Sequence, residues 1–500
     1  MIRVRIPPSP TGLLHIGTVR TALYNYLFAK HHGGTMIFRI EDTDKDRGTK
    51  EFEDDIVNGL VKLGIAGDEG VHIKNSKIED RNSKMKYRQS ERTDVYKEYI
   101  QKLLDKDKAY YCFCSKERLD EMREEQRAKK LPPRYDGCCA KLDPAESKKK
   151  VDGGEKAVIR LRVPSDGSVS FNDLVRGETC INCKELDDFV IARAVDDPLY
   201  HLTVVVDDHD MEISHVIRGE DHISNTPKQI LIFEAFGWEI PKFAHLPLIL
   251  NEDKSKLSKR KNKVSIDDYL AEGYLPEALL NFLALLGWNT PDEQEIFSME
   301  ELIEKFTLDR VHKGGAVFDQ KKLDWINGEY IKKAIEKDID EFYENVLPFI
   351  EGKIPTDNPD LIKNILKDSD FEGRFNKLSE IPEELGILFK DLPDYSLALL
   401  AREKFQITPE MLKNQVLPKA KEVLEGIDWE KGDSDKSQEI SDKLIAIVEE
   451  LGLKNGQVLW PIRVALSGLE KSPNFSTLAV YLGKEECLNR LNIALTKLKG

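Results

Sequence analysis

The sequence predicts an α/β nucleotide-binding catalytic domain, interrupted by an inserted α+β domain and followed by an all-α C-terminal half. An alternating apolar start (Ile2, Val4, Ile6) passes through the loop Pro7-Pro8-Ser9-Pro10-Thr11-Gly12 into a helical pattern (Val19, Ala22, Leu23, Tyr26, Leu27). That strand–loop–helix opening is answered by a second short apolar strand at Met36 to Ile40. Beyond about residue 330 nearly every segment has helical period, as in Leu444, Ile447, Val448 and Leu451. A chain of 500 residues is also too long for one core, so several domains are expected.

In chain order, the first loop delivers His15 and Gly17 to the first turn of a helix running from about Gly17 to His32. Gly33-Gly34 stop it. A helix N-terminus carries unpaired amides and partial positive charge, and an imidazole beside it can donate to phosphate oxygens. The loop therefore reads as a nucleotide-phosphate seat, although it has neither GxGxxG nor GxxxxGK[ST] spacing. The strand Met36 to Ile40 leads straight into Glu41-Asp42-Thr43-Asp44. Right-handed βαβ connection makes the two strands parallel neighbours and brings Ser9, His15 and Glu41 to one crevice.

Residues 88-190 differ in character, with a charged helix (Glu91 to Lys106), paired cysteines, a basic loop (Lys129 to Arg134) and short strands such as Ala157 to Val163. They are read as the insertion between 1-87 and 191-240. Strand-like segments at Tyr200 to Val206 and Glu212 to Arg218, then a helix from about Pro227 to Phe236, complete the sheet. A linker-rich helical region (241-328) carries the basic run Lys254, Lys256, Lys259, Arg260, Lys261 and Lys263, and 329-500 is the helical half, with two subdomains.

Composition narrows the function. The net charge of −15 argues against a general nucleic-acid coat, but the local basic run fits a selective polyanion site on a self-repelling surface. The longest apolar run, Leu279 to Trp288, is too short to cross a bilayer, and the N-terminus shows no secretory pattern, so a cytoplasmic protein without membrane contact is expected. Seven cysteines fit a disulfide framework poorly.

Neither His15-Ile16-Gly17-Thr18 nor Lys256-Leu257-Ser258-Lys259-Arg260 is specific alone. Together, about 240 residues apart on either side of a split α/β fold, they resemble the His-x-Gly-His and Lys-Met-Ser-Lys-Ser signatures of class I aminoacyl-tRNA synthetases. Further stretches bring residues 1 to about 290 close to the bacterial-type glutamyl-tRNA synthetases: Pro8 to Gly12, Arg39 to Asp44, Tyr87 to Arg92, Val204 to Asp208 and Val216 to His222. The resemblance implies a Rossmann-like catalytic domain. It also implies ATP-dependent activation of L-glutamate to the adenylate, then transfer to the terminal ribose of tRNA(Glu), with Mg2+ arriving on the ATP.

The matching positions imply His15, Gly17, Lys256 and Lys259 as catalytic, and Arg5, Ser9, Glu41, Tyr200 and Arg218 around the amino acid. They imply Thr11, His15, Gly17, His222 and Lys259 on the nucleotide. Thr18 departs from the signature, as do Leu257 and Arg260. Residues 88-190 would grip the acceptor end, 241-328 contact the stem, and 329-500 read the anticodon of a tRNA bound by a monomer. A glutaminyl-tRNA synthetase is a rival, but its anticodon end is β-barrel. A tRNA-modifying glutamyl transferase lacks the helical extension. An enzyme that also charges tRNA(Gln) stays open.

The insertion of some members holds zinc through Cys-x-Cys, a later Cys and a His or Tyr. Here Cys112, Cys114 and Cys139 match, Lys141 stands where the His would be, and Tyr135 or Cys138 is left as fourth ligand. The sequence leaves zinc and incidental thiols both open. Cys180-x-x-Cys183 reads as two incidental thiols at a turn.

Overall fold

In the computed structural model, which describes residues 1–43, 47–71, 85–257 and 265–499, β1 (Arg3–Ile6), α1 (Ile16–His31) and β2 (Thr35–Phe38) form the expected βαβ unit. β1 and β2 are parallel, with Arg5 opposite Ile37. Val4, Ile6, Met36, Ile37 and Phe38 are buried, because a parallel sheet is covered on both faces. Helix α2 (Lys50–Lys62), capped by Thr49, leads to the short β3 (Glu69–Gly70) on the far edge of β2.

The insertion opens with α3 (Thr93–Asp105) and β4 (Ala109–Cys112) and continues through α4 (Lys116–Ala128), α5 (Pro144–Asp152) and β5 (Val158–Leu161). After β6 (Ser168–Asp173) and β7 (Gly177–Asn182) come β8 (Val190–Ala194) and β9 (Asp197–Pro198). β4, β5, β8 and β9 make one antiparallel sheet. Helix α4 buries none of its side chains, as its charged sequence requires.

The chain then enters α6 (Tyr200–Asp210), β10 (His215–Gly219), α7 (Thr226–Phe236) and β11 (Lys242–Leu246). Tyr200 to Val206, expected as strand, is helical. Its β-branched run Thr203-Val204-Val205-Val206 is wholly buried among Leu202, Ile230 and Phe233, and tertiary packing overrides a weak local preference. β10 pairs in parallel with β11, and the hairpin β6–β7 adds to the same sheet through Asp173 beside Phe243. Part of the insertion's sequence thus belongs to the catalytic sheet.

Two compact units are present, 1–271 with 276–326, and 272–275 with 327–500. The second is helical, built from segments including Ile381–Phe389, Leu417–Glu425, Asp433–Glu450, Asn455–Ser467 and Phe475–Lys497. Leu385, Leu444, Ile462, Leu478 and Leu491 lie in its core. Arg490, 1% exposed, spans helix ends there: Nη1 donates to the carbonyls of Ile387 (3.0 Å) and Leu466 (2.7 Å), Nη2 to that of Lys390 (3.2 Å), and Nε to Glu486 (2.6 Å). Among the described residues no helix is long and apolar enough to cross a membrane.

Helix-end carbonyls left without donors are expensive to bury, so Arg490→Met should destabilise the helical unit by about 3 kcal/mol. A urea melt should show its transition at lower denaturant, with that of the catalytic unit unmoved. An unchanged melt would show that the carbonyls do not depend on this side chain.

Candidate functional site: a crevice at the start of the split sheet

The first loop is pinned at both sides. The Glu41 amide donates to the Pro8 carbonyl (3.1 Å) and the Thr49 amide to that of Pro10 (3.2 Å), so Ser9 and Thr11 are held beside the end of β2. His15 is the N-cap of α1. Its Nδ1 accepts from the Gly17 amide at 3.1 Å, and Nε2 lies 3.2 Å from Thr18 Oγ1. The cap explains the His-x-Gly spacing physically. A Cβ at position 17 would sit 3.0 Å from His15 Cε1 and 3.1 Å from Nδ1, so glycine lets the ring fold over the helix start without crowding. The exposed imidazole and the α1 amides share one anion-favouring spot.

The chain just beyond the basic run returns to the same place. Ser265 bridges to His15, and the Ile266 amide donates to the Leu14 carbonyl at 3.3 Å. Before it, Lys256 bridges to Leu250 and puts Nζ 3.7 Å from Asp221 Oδ2. The segment that follows the second signature therefore meets the start of α1. Lys259 lies outside the described residues, as does Arg260.

Behind the loop sits a buried charge cluster. Arg39, 0% exposed, donates from Nη1 to Asp208 Oδ1 (2.6 Å) and from Nη2 to Glu41 Oε1 (3.4 Å). Arg5 Nε donates to the same Asp208 oxygen at 3.2 Å. Asp207, next in α6, accepts from Gln89 (2.8 Å), Arg92 (2.8 Å) and Tyr96 (2.9 Å). Burial alone would raise the Asp208 carboxyl, but Arg39 and Arg5 outweigh it and hold it below the ordinary value. At Glu41 burial wins over Arg39 and Arg5, and its carboxyl is pushed up to about 7.

Arg218 on β10 is 6% exposed, and burial lowers it to about 10. It is close enough to interact electrostatically with Tyr200, Arg5 and Glu41. The Tyr200 hydroxyl lies 3.3 Å from His222 Nδ1. Two guanidinium nitrogens, Arg5 Nη1 and Arg218 Nη1, are buried without a hydrogen-bond partner among the described residues. Arg20, Arg39, Arg160 and Arg176 also have a buried Nε without a partner among the described residues, but Arg5 and Arg218 lie close enough to interact and so offer two donors to anionic groups at one place. The structure thus gathers Arg5, Ser9, Glu41, Tyr200, Arg218 and His222 at one end of the sheet.

The cysteines lie in the insertion. Cys112, Cys114 and Cys139 place their sulfurs within 4.8 Å of one another. The Tyr135 hydroxyl sits among them, 3.3 Å from Cys112 Sγ and 3.6 Å from Cys114 Sγ. Cys138 is exposed and outside this group. Three thiols and a phenol converging on one point fit a tetrahedral zinc site.

Sequence reasoning did not single out His245, which contacts Arg218 from behind, or Asp173, which holds His245. Nothing in composition marks them, because β6 joins this sheet from within the insertion. Arg39, Asp207 and Asp208 stood in matched stretches, without a role.

The comparisons agree with this geometry. The family described as tRNA synthetases class I (E and Q), catalytic domain, matches residues 1–325, and an anticodon binding domain matches 341–495. The chain is 44% identical to the glutamate–tRNA ligase of Clostridium botulinum over 504 residues, covering 100% of this chain and 99% of that one. It is 41% identical to that of Clostridioides difficile, covering 98% of each. A crystal structure of a glutamate tRNA ligase from Elizabethkingia meningosepticum in complex with its amino acid superposes with a TM-score of 0.85 at 34% identity, covering 99% of both chains. The match of residues 1–325 to that family, with a relative 44% identical over the whole chain, places the chain in the E and Q family of class I tRNA synthetases.

Proposed function

We propose that the chain activates L-glutamate with ATP and charges tRNA(Glu). The observation that carries this is the pair of buried, unpartnered guanidinium nitrogens of Arg5 and Arg218, on side chains close enough to interact with each other and with Glu41. Two guanidinium groups suit the two carboxylates of glutamate, and Glu41 with Ser9 suits its ammonium. Glutamine would leave one buried guanidinium without a carboxylate, a loss of several kcal/mol.

In the first step a carboxylate oxygen of glutamate attacks the α-phosphorus of ATP and pyrophosphate leaves. No protein nucleophile takes part, so positioning and charge stabilisation supply the catalysis. His15, Thr11 and the α1 amides hold phosphate oxygens, Gly17 leaves room for the nucleotide, and His222 contacts it. Lys256 and Lys259 stabilise charge developing on the departing pyrophosphate, whose Mg2+ arrives with ATP. In the second step a hydroxyl of the tRNA's terminal ribose attacks the acyl carbon and AMP leaves. We assign the acceptor end to residues 88–190, the stem to 241–328 and the anticodon to 329–500, in a cytoplasmic monomer. The match of 341–495 to an anticodon binding domain supports the last of these.

Cys112, Cys114, Cys139 and Tyr135 would hold a structural zinc ion, tying β4 to the turn at Cys139. That ion would brace the insertion and take no part in the chemistry.

Charging assays with radiolabelled glutamate and separate tRNAs are expected to label tRNA(Glu). No charging of either glutamate- or glutamine-accepting tRNA would refute the assignment, and charging of both would identify a non-discriminating enzyme. Since Glu41 must be ionised to pair with the ammonium group and sits at about 7 before binding, the fraction ready to bind rises with pH. The KM for glutamate should therefore fall about tenfold between pH 6 and 8, and Glu41→Gln should flatten that profile. A flat profile in the parent enzyme would remove Glu41 from this role. Elemental analysis should find one zinc per chain, lost in Cys114→Ser. A zinc-free protein would end the metal assignment.

A further inference from the structure

Arg218 is gripped from behind by a buried relay. Asp173, at the end of β6 and 2% exposed, faces His245 on β11, which is 0% exposed. The His245 Nδ1 lies 2.6 Å from Asp173 Oδ2. At the other side of the ring, Arg218 Nε donates to His245 Nε2 at 3.2 Å, and Thr226 Oγ1 lies 3.0 Å from the same nitrogen. Thr226 Oγ1 also accepts from Arg218 Nη2 at 2.8 Å. Only Arg218 Nη1 has no partner among the described residues.

The chemistry of these groups fixes the ring's state. An arginine Nε is always a donor, so His245 Nε2 must present its lone pair. The ring proton then sits on Nδ1, donated to Asp173. The carboxylate is itself anchored. Its Oδ1 accepts from the amides of Val175 (2.9 Å), Arg176 (2.9 Å) and His245 (3.3 Å). We propose that Asp173 and His245 are positioning residues: Asp173 sets the His245 tautomer, and neutral His245 holds the Arg218 guanidinium with Nη1 aimed at the carboxylate of the amino acid. The hairpin β6–β7 thereby gives the amino-acid pocket a residue from sequence that otherwise belongs to the insertion. This inference rests on the reading of Arg218 as a substrate ligand.

Asp173→Asn tests the relay with little change of shape. The Asn oxygen keeps the three amide bonds, while its NH2 now donates to Nδ1 and forces the proton onto Nε2. A donor then faces the Arg218 donor, as when a buried carboxylate behind a functional histidine is replaced by an amide. Asp173→Asn and His245→Leu are each expected to raise the KM for glutamate roughly 10–100-fold, the size of one hydrogen bond to a charged group. The KM for ATP and kcat should stay within about twofold, and the thermal midpoint should hold. His245→Gln, which returns an amide oxygen near Nε2, should recover part of the loss. The ring 15N shifts of His245 should show a protonated Nδ1 in the parent and a protonated Nε2 in Asp173→Asn. Arg218→Ala is the reference: if it leaves the glutamate KM unchanged, the substrate reading falls and the relay with it. If Arg218→Ala raises that KM while Asp173→Asn and His245→Leu do not, or raise both KM values alike, the relay alone is refuted.

Discussion

The pairing of Arg39 with Asp208 is the interaction on which the rest of this site depends. Both side chains are buried, and charges out of water are tolerable only when paired in good geometry. Arg39 stands just beyond β2, Asp208 is in α6, and the carboxylate also holds Arg5 on β1, so one ion cluster ties the sheet that precedes the insertion to the helix that follows it. Asp207 extends it to Gln89, Arg92 and Tyr96, where the insertion begins. An ion cluster of this kind adds little net stability over an apolar core, and its value lies in direction. It presents Arg5 with one face satisfied by Asp208 and another nitrogen left over for a ligand.

The same division of labour recurs at Arg218. Nε and Nη2 are taken by His245 and Thr226, and Nη1 is not. A fully satisfied guanidinium would be a structural strut, and a free one would be disordered among rotamers. Partial satisfaction gives a rigid donor with a vacant direction, which is what recognition of a planar carboxylate needs. Arg5 follows the same pattern, pairing with Asp208 through Nε while its Nη1 stays without a partner among the described residues.

How much was legible in the sequence follows from how local each feature is. The loop at Pro7–Thr18, the helix after it and the acidic end of β2 are local patterns, and all appear at the expected places. The meeting of His15 with the segment at Ser265 could be anticipated only through paired signatures, because no periodicity encodes a contact across about 250 residues. Tyr200 to Val206 misled because a β-branched run reads as strand, while burial on all sides of α6 rewards the same bulk in a helix. Asp173 and His245 were invisible for a different reason. Their function depends on a hairpin leaving the insertion's sheet and docking on β11, a topological fact with no signal in residue spacing.

His15 shows why the phosphate seat and the amino-acid pocket occupy one loop. The imidazole caps α1 by accepting from Gly17, and the loop before it is tethered through Pro8 to Glu41. Any shift of the helix start therefore moves against Glu41, the residue we assign to the ammonium group. The reaction requires the carboxylate nucleophile and the α-phosphorus to approach along one line, and small errors of placement are costly in rate. The loop from Pro7 to His15, held by backbone hydrogen bonds at Pro8, Pro10 and Leu14, meets that requirement without any group that itself reacts. The constraint also accounts for Gly17: the ring that caps the helix occupies the space a Cβ there would need, so the glycine lets the cap lie close over the first turn.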